Sequence, residues 1–379
     1  MMMSYAVALP LLDGLGRIAV FLLMLSVLVV LHELGHFIMA RVNGVRVNDF
    51  AVGFGPTLLK WTSQRSGTNY RLNLFPVGGY CAMQGEDGRT SEAQQQREFQ
   101  AETERSSDNF QSKTPLQRLS IVAAGPVANF IVAFLVLVFG ALVFGAPDEN
   151  RLSTVIGPLE RGSPGARAGL QVGDRIVAID AVPVADGAQM AKRIHESSGA
   201  PLDLTIERGS QTLHVTVTPE LRTLGGQKMR VIGFQMTPTY DRVGPVAAIS
   251  TGAQRFADML QSNIVGLGTL VVHPKVAASQ ISGPIGIGAA ATQAQALGWG
   301  PYLQLAALIS VALGIFNFLP IPALDGGRGV FIIAEMLRGR PVDPEKEALV
   351  HVTGFALLMV LMVFVAYHDI ANIVSSRPL

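Results

Sequence analysis

Three residues within five positions carry the strongest chemical signal in the chain. They are His32, Glu33 and His36, in the run Val30-Leu31-His32-Glu33-Leu34-Gly35-His36-Phe37. On a helix the i, i+4 spacing puts both imidazoles on one face, where they can share a metal ion. Glu33 points about 100° round the helix, placed to hold a water beside that metal. These types at this spacing suit zinc-dependent peptide hydrolysis. Their surroundings are unusual, because Ile18 to Leu31 contains no charged residue and apolar character resumes at Phe37-Ile38-Met39-Ala40. A charge at mid-bilayer costs about 2.5–3.5 kcal/mol on insertion scales, so polar side chains there face a partner or a water-filled cavity. A metal in such a cavity satisfies both histidines. The structural alternative is a histidine pair bonded to nearby backbone, with Glu33 at a water boundary.

The elements that must position these residues are membrane helices. Hydrophobic residues make up 49% of the chain and charged ones 15%, against about 25% charged in an ordinary soluble domain. The mean hydropathy is +0.37. The expected class is a polytopic α-helical membrane protein with about four transmembrane helices, a membrane-associated β-hairpin and one α/β soluble domain. Residues 15–40, 119–144, 303–318 and 349–367 are the candidate spans. Thr114-Pro115 supplies an N-cap and a first-turn proline for the second. The first span opens with Asp13 rather than basic residues and carries the histidines, so it reads as a retained helix, not a cleaved signal. A net charge of +1 without a basic tract gives no footing to nucleic-acid binding. Cys81 is the only cysteine, so no intramolecular disulfide forms.

Orientation follows from charge. Arg41 to Arg118 holds ten Lys or Arg, and Arg338, Arg340 and Lys346 precede the fourth span, whereas Arg17 stands alone at the N-terminal edge. Both basic loops are expected in the cytoplasm, with the N-terminus, the long central region and the C-terminus on the outer, periplasm-like side. The His32–His36 pair then lies near the cytoplasmic face.

Between the spans, Thr57 to Met83 reads as short strands with turns at Ser66-Gly67 and Gly78-Gly79. This hairpin is a candidate wall of the cleft, and its edge, through Tyr70, Leu72 and Gly79, could add an extended substrate as a strand. A cytosolic hairpin without a catalytic part is the plainer reading. Glu86 to Lys113 is polar and Gln- and Ser-rich, a mobile linker. From Arg151 to Glu220 short strands are broken by Gly and Pro. Ser163-Pro164-Gly165-Ala166-Arg167-Ala168-Gly169-Leu170 followed by Val172-Gly173-Asp174 resembles a bacterial-protease PDZ domain, a fold that captures peptide at a sheet edge. Phe256, Met259, Leu260, Ile264 and Leu267 recur at near-helical spacing, an amphipathic connecting helix.

The second chemically loaded stretch is Gly314-Ile315-Phe316-Asn317-Phe318-Leu319-Pro320-Ile321-Pro322-Ala323-Leu324-Asp325-Gly326-Gly327. Pro320 and Pro322 should break the third span and deliver Asp325 to the cytoplasmic side, at the depth of His32 and His36. A catalytic zinc takes three protein ligands, and Asp325 offers the third. Its other reading is a cap on the following helix. His195, His214, His273, His351 and His368 lie outside these motifs and are read as structural.

With these motifs together, the chain resembles the site-2 protease family of intramembrane zinc metalloproteases, near the bacterial regulator of sigma-E protease (RseP) subgroup. The resemblance rests on His32 to His36, Gly125-Pro126-Val127-Ala128-Asn129-Phe130, the PDZ-like region and Asn317 to Asp325. One departure is a single PDZ-like copy where tandem members carry two. The resemblance implies Zn²⁺ on His32, His36 and Asp325, Glu33 as catalytic base, and Asn317 on the substrate main chain or oxyanion. It also implies single-span membrane substrates shortened by an upstream site-1 protease, such as anti-sigma factors, and signal-peptide remnants. Expected domains are 1–145 (N-terminal membrane part), 146–240 (PDZ-like, periplasmic), 241–300 (connecting region) and 301–379 (C-terminal membrane part). Two rivals stand beside this reading. One is a non-proteolytic PDZ sensor or scaffold, which has no need of Glu33. The other is a zincin with a cytosolic active site, which would draw its third ligand from a soluble helix.

Overall fold

A computed structural model describes residues 2–85, 107–224, 227–273, 283–340 and 342–375. Residues 86–106 of the polar linker lie outside the described residues. Four helices are long and apolar enough to cross a membrane, over Gly16–Val42, Pro115–Phe144, Trp299–Phe318 and Lys346–Ala371. The chain is a multi-pass membrane protein, and the four spans lie where apolar length placed them.

The chain forms two compact units. The first unites residues 1–136, 253–286 and 306–370. Helix α1 (Met2–Val42) runs into strands β1 (Val47–Thr62) and β2 (Asn69–Met83), which pair antiparallel. Sequence patterning put the first strand at Thr57, ten residues late. Val47 and Ala51 are buried at sheet spacing, but Gly53 and Gly55 interrupt the alternation and carry φ of 79° and 88°. Those glycines bend β1 so that Thr57–Thr62 pairs with Asn69–Asn73. The same stretch of β2 pairs on its other side with Asp49–Val52, which pairs in turn with Gly79–Met83. Gly79–Met83 is thus an outer edge among the described residues.

A small core forms beneath that edge, from Ala40, Val45, Val47, Cys81, Met83, Phe110, Ile121, Val122 and Ile332. It joins α1, the sheet, α2 (Pro115–Phe144) and a later helix, Asp325–Arg338. Arg118 at the start of α2 pairs with Glu335 of that helix. The desolvated pair fixes the approach of two elements far apart in sequence.

The second unit takes in residues 137–252, 287–305 and 371–379. Its sheet runs β10-β3-β4-β6-β7, with β3 Ala146–Leu159, β4 Arg175–Ile179, β6 Leu202–Arg208, β7 Gln211–Val217 and β10 Phe234–Asp241; β5 (Val182–Pro183) pairs with β4. All neighbours are antiparallel. In β6, Leu202, Leu204 and Ile206 face the core between polar Asp203, Thr205 and Glu207, the period-2 pattern of a half-buried strand. Helix α3 (Gly187–His195) is capped by Asp186, which accepts from the Gln189 amide at 2.7 Å, and packs Met190 and Ile194 inward. β8 (Glu220–Leu224) and β9 (Gln227–Val231) form a separate ribbon. The Val-Gly-Asp motif has a clear physical role here. Asp174 is 1% exposed, accepts from Arg208 through both oxygens at 2.7 Å, and accepts the Gln171 amide at 2.8 Å.

Helices α4 (Pro245–Val272), α5 (Pro284–Leu297), α6 (Trp299–Phe318), α7 (Asp325–Arg338) and α8 (Pro344–Ser375) complete the chain. The predicted amphipathic helix falls within α4. Helix α5 was not anticipated, since its Gly- and Ala-rich sequence has no marked apolar face. Asp369 of α8 accepts from the Gly283 and Gly286 amides at 3.1 and 2.9 Å, satisfying the donors at the α5 start.

Replacing Asp174 by Ala leaves Arg208 and the Gln171 amide without their acceptor. The expected loss is about 3 kcal/mol, at the low end for a buried pair because Arg208 is only half-buried. Thermal proteolysis of the purified protein, read at sites within residues 137–252, checks this, and wild-type resistance in the variant contradicts it.

Candidate metal centre

The histidine pair sits as the i, i+4 spacing requires, on one face of α1. Both side chains are buried. The His36 Nδ1–H donates to the Ile121 carbonyl of α2 at 2.8 Å, which leaves the lone pair on Nε2. His36 Nε2 lies 3.1 Å from His32 Nε2. Two glycines allow the approach. A Cβ on Gly35 would collide with the Ala124 carbonyl, and one on Gly125 would strike both imidazoles. The Gly-Pro-x-x-Asn stretch of α2 is therefore a seat for the two rings.

The third group comes from nearly 300 residues away. Helix α6 ends at Phe318, as its prolines predict, and α7 opens at Asp325. Between them Ala323 takes the left-handed region, φ 76°, a conformation that costs a non-glycine residue about 1–2 kcal/mol. The Ala323 amide donates to His351 Nδ1 of α8 at 3.0 Å, which holds the strained residue in place. Gly326 and Gly327 lie against the carbonyls of Leu319 and Ile321, where any side chain would collide. The glycines of Leu-Asp-Gly-Gly thus fold α7 back onto the chain that leads into it. Asp325 Oδ2 comes within 3.1 Å of His32 Nε2 and 3.3 Å of His36 Nε2.

These distances fit a zinc ion. Two ligand atoms bonded to one tetrahedral zinc at about 2.0–2.1 Å lie about 3.3 Å apart, and all three separations are 3.1–3.3 Å. Asp325 Oδ2 is buried and, among the described residues, receives no hydrogen bond of good geometry despite its two close nitrogens. Convergent lone pairs without a donor between them are the mark of a cation site. Among the described residues His32, His36 and Asp325 are the group of His, Cys, Asp or Glu placed to hold a metal.

A sequence profile of peptidase family M50 matches residues 20–361. The chain belongs to peptidase family M50. It is 31% identical to the zinc metalloprotease RasP of Bacillus licheniformis, over 95% of this chain and 100% of that protein. It is 30% identical to the regulator of sigma-W protease RasP of Bacillus subtilis, over 94% and 99%. The metalloprotease MmpA of Caulobacter vibrioides is 33% identical over 92% and 94%. Family and ligand geometry agree: this M50 protein is an intramembrane zinc metalloprotease.

The remaining predicted residues divide. Glu33 opens into a cavity of about 300 Å³ that His36, Asp325, Arg328, Val122 and the edge residues Tyr80 to Met83 also line. Gly79 begins that edge, opposite Val52. Tyr70 and Leu72 lie elsewhere in the sheet: Tyr70 stacks on Trp61 at 5.2 Å, and Leu72 pairs with Val52 and Leu59. Asn317 lies in the last turn of α6, its Nδ2 donating to the Leu313 carbonyl at 3.0 Å. Sequence reading gave no part to Asn129, beside His32, or to His351, behind the Asp325 loop. The signal for Asn129 was a carboxamide in the middle of an apolar span.

Gly125→Ala tests the seat. Its methyl must displace both ligand rings, so the zinc dissociation constant is expected to rise by at least about tenfold, as for lost ligand support. Competition with a chromogenic chelator measures it, and wild-type affinity in the variant contradicts the role given to Gly125.

Proposed function

We propose that this M50 protein cleaves transmembrane segments of single-span membrane proteins in a regulated pathway, after an upstream protease has shortened them on the outer side. The observation that carries the reading is the convergence of His32, His36 and Asp325 on a membrane-spanning helix, with Glu33 and a sheet edge on one shared cavity. Zinc, when bound by these three residues, supplies Lewis-acid polarisation of a scissile carbonyl and eases deprotonation of water. Glu33 takes a proton from the attacking water on its carboxylate and returns it to the leaving amine. Asn317 carries a second amide N–H beyond the one bonded to Leu313, suited to the substrate main chain.

A transmembrane helix hides its carbonyls in its own hydrogen bonds, so the substrate must unwind before attack. The edge Gly79–Met83 suits it, because an extended peptide adding there exchanges helix hydrogen bonds for strand ones beside Glu33. This moves the substrate-pairing role from Tyr70 and Leu72 to Tyr80–Met83. Exposed Phe54, Leu58, Leu59, Trp61 and Phe75 support a β1–β2 hairpin that lies in the membrane. The basic loops support a cytoplasm-proximal site in a bacterial inner membrane, with the N-terminus, central module and C-terminus outside. The antiparallel sheet, α3 and outer strand β10 support a PDZ-like central module that excludes substrates with large outer domains.

Glu33→Gln should reduce cleavage of a reporter transmembrane peptide by 10²-fold or more while zinc content stays near wild type; the size follows from loss of general-base catalysis, typically about 10²–10⁴-fold. Retained cleavage in that variant would remove Glu33 from the mechanism.

A further inference from the structure

Asn129 lies within α2, 0% exposed, and the reaction above gives it no part. Its Nδ2 is 3.0 Å from His32 Nδ1. Its backbone carbonyl accepts from Ser310 Oγ of α6 at 2.8 Å. Among the described residues no donor reaches Asn129 Oδ1, although that atom is buried. An unsatisfied buried amide oxygen costs about 1–3 kcal/mol, and a half-turn of the amide about χ2 brings that oxygen within reach of a donor. In that position Oδ1 replaces Nδ2 and faces His32 Nδ1, which must then carry the proton. The His32 lone pair is left on Nε2, the atom 3.1 Å from both His36 Nε2 and Asp325 Oδ2. In the opposite arrangement Nδ2–H donates to Nδ1 and the His32 proton sits on Nε2, where it blocks ligation. His36 already has the ligating arrangement, through the Ile121 carbonyl.

We infer that Asn129 is a positioning residue of the metal centre, whose Oδ1 accepts from the His32 Nδ1–H and so fixes the tautomer and ring angle that present Nε2 to zinc. The two ligand histidines are then oriented by different means. A backbone carbonyl, which no side-chain substitution removes, orients His36; a single side chain orients His32.

The test uses purified full-length protein, with zinc affinity from chelator competition and the visible absorption of the cobalt(II)-substituted form. Asn129→Leu removes the acceptor at similar size and is expected to weaken zinc binding by about 10–100-fold and shift the cobalt bands. Asn129→Asp keeps an acceptor oxygen and is expected to restore affinity to within about threefold of wild type. Ser310→Ala removes only the tie to the Asn129 carbonyl, and its cobalt spectrum is expected to match wild type. Wild-type affinity and spectrum in Asn129→Leu overturn the inference. So does Asn129→Asp binding as weakly as Asn129→Leu, or a Ser310→Ala spectrum shifted like that of Asn129→Leu, since either makes helix packing the cause. Wild-type protein that binds no zinc overturns the metal centre and the inference with it.

Discussion

Every polar group placed within a membrane span needs a partner, because hydrocarbon offers none and an unpaired one costs several kcal/mol. This constraint shapes the site from the outside in. His36 gives its Nδ1–H to the Ile121 carbonyl, Ser120 donates to the Gln117 carbonyl, and Ser310 donates to the Asn129 carbonyl. What remains after that pairing is a small set of atoms aimed at one point: two imidazole nitrogens and a carboxylate oxygen, all within 3.3 Å. A cation at that point completes the pairing and creates the chemistry together.

Convergence at this scale requires backbones to come very close, and glycine makes that possible. Gly35 and Gly125 let α1 and α2 approach until the imidazoles lie against the α2 backbone, and Gly326 and Gly327 let α7 fold onto its own entry segment. The rest of the unit holds those approaches fixed. The Arg118–Glu335 pair and Ile332 anchor α7, and His351 holds Ala323 in its left-handed turn. The edge of the β1–β2 sheet shares a core with these helices, which packs Cys81 and Met83 against the elements that carry Glu33 and Asp325.

Local chemistry was legible in the sequence where a short motif carries its own geometry. The i, i+4 histidines and the prolines before Asp325 each fix a local structure, and both lie where that reasoning placed them. The four spans were legible for the same reason, since apolar length alone defines them. What escaped were relations made only by packing. Asn129 meets His32 across 97 residues, and His351 supports a loop 28 residues earlier in the chain; neither spacing leaves a periodic trace. The start of the first strand was set ten residues late because its glycines serve a bend rather than a flat pleat, and α5 was missed because its small residues show no apolar face.

The central claim is that α1 and α7 together build one zinc site from two imidazoles and a carboxylate. X-ray absorption at the zinc edge of the purified, metal-loaded protein tests it most directly. The account predicts light N/O scatterers alone at about 2.0–2.1 Å, two of them with the outer-shell signature of imidazole, and loss of an oxygen contribution in Asp325→Ala. A sulfur shell near 2.3 Å, a single imidazole, or a spectrum unchanged by Asp325→Ala would contradict it.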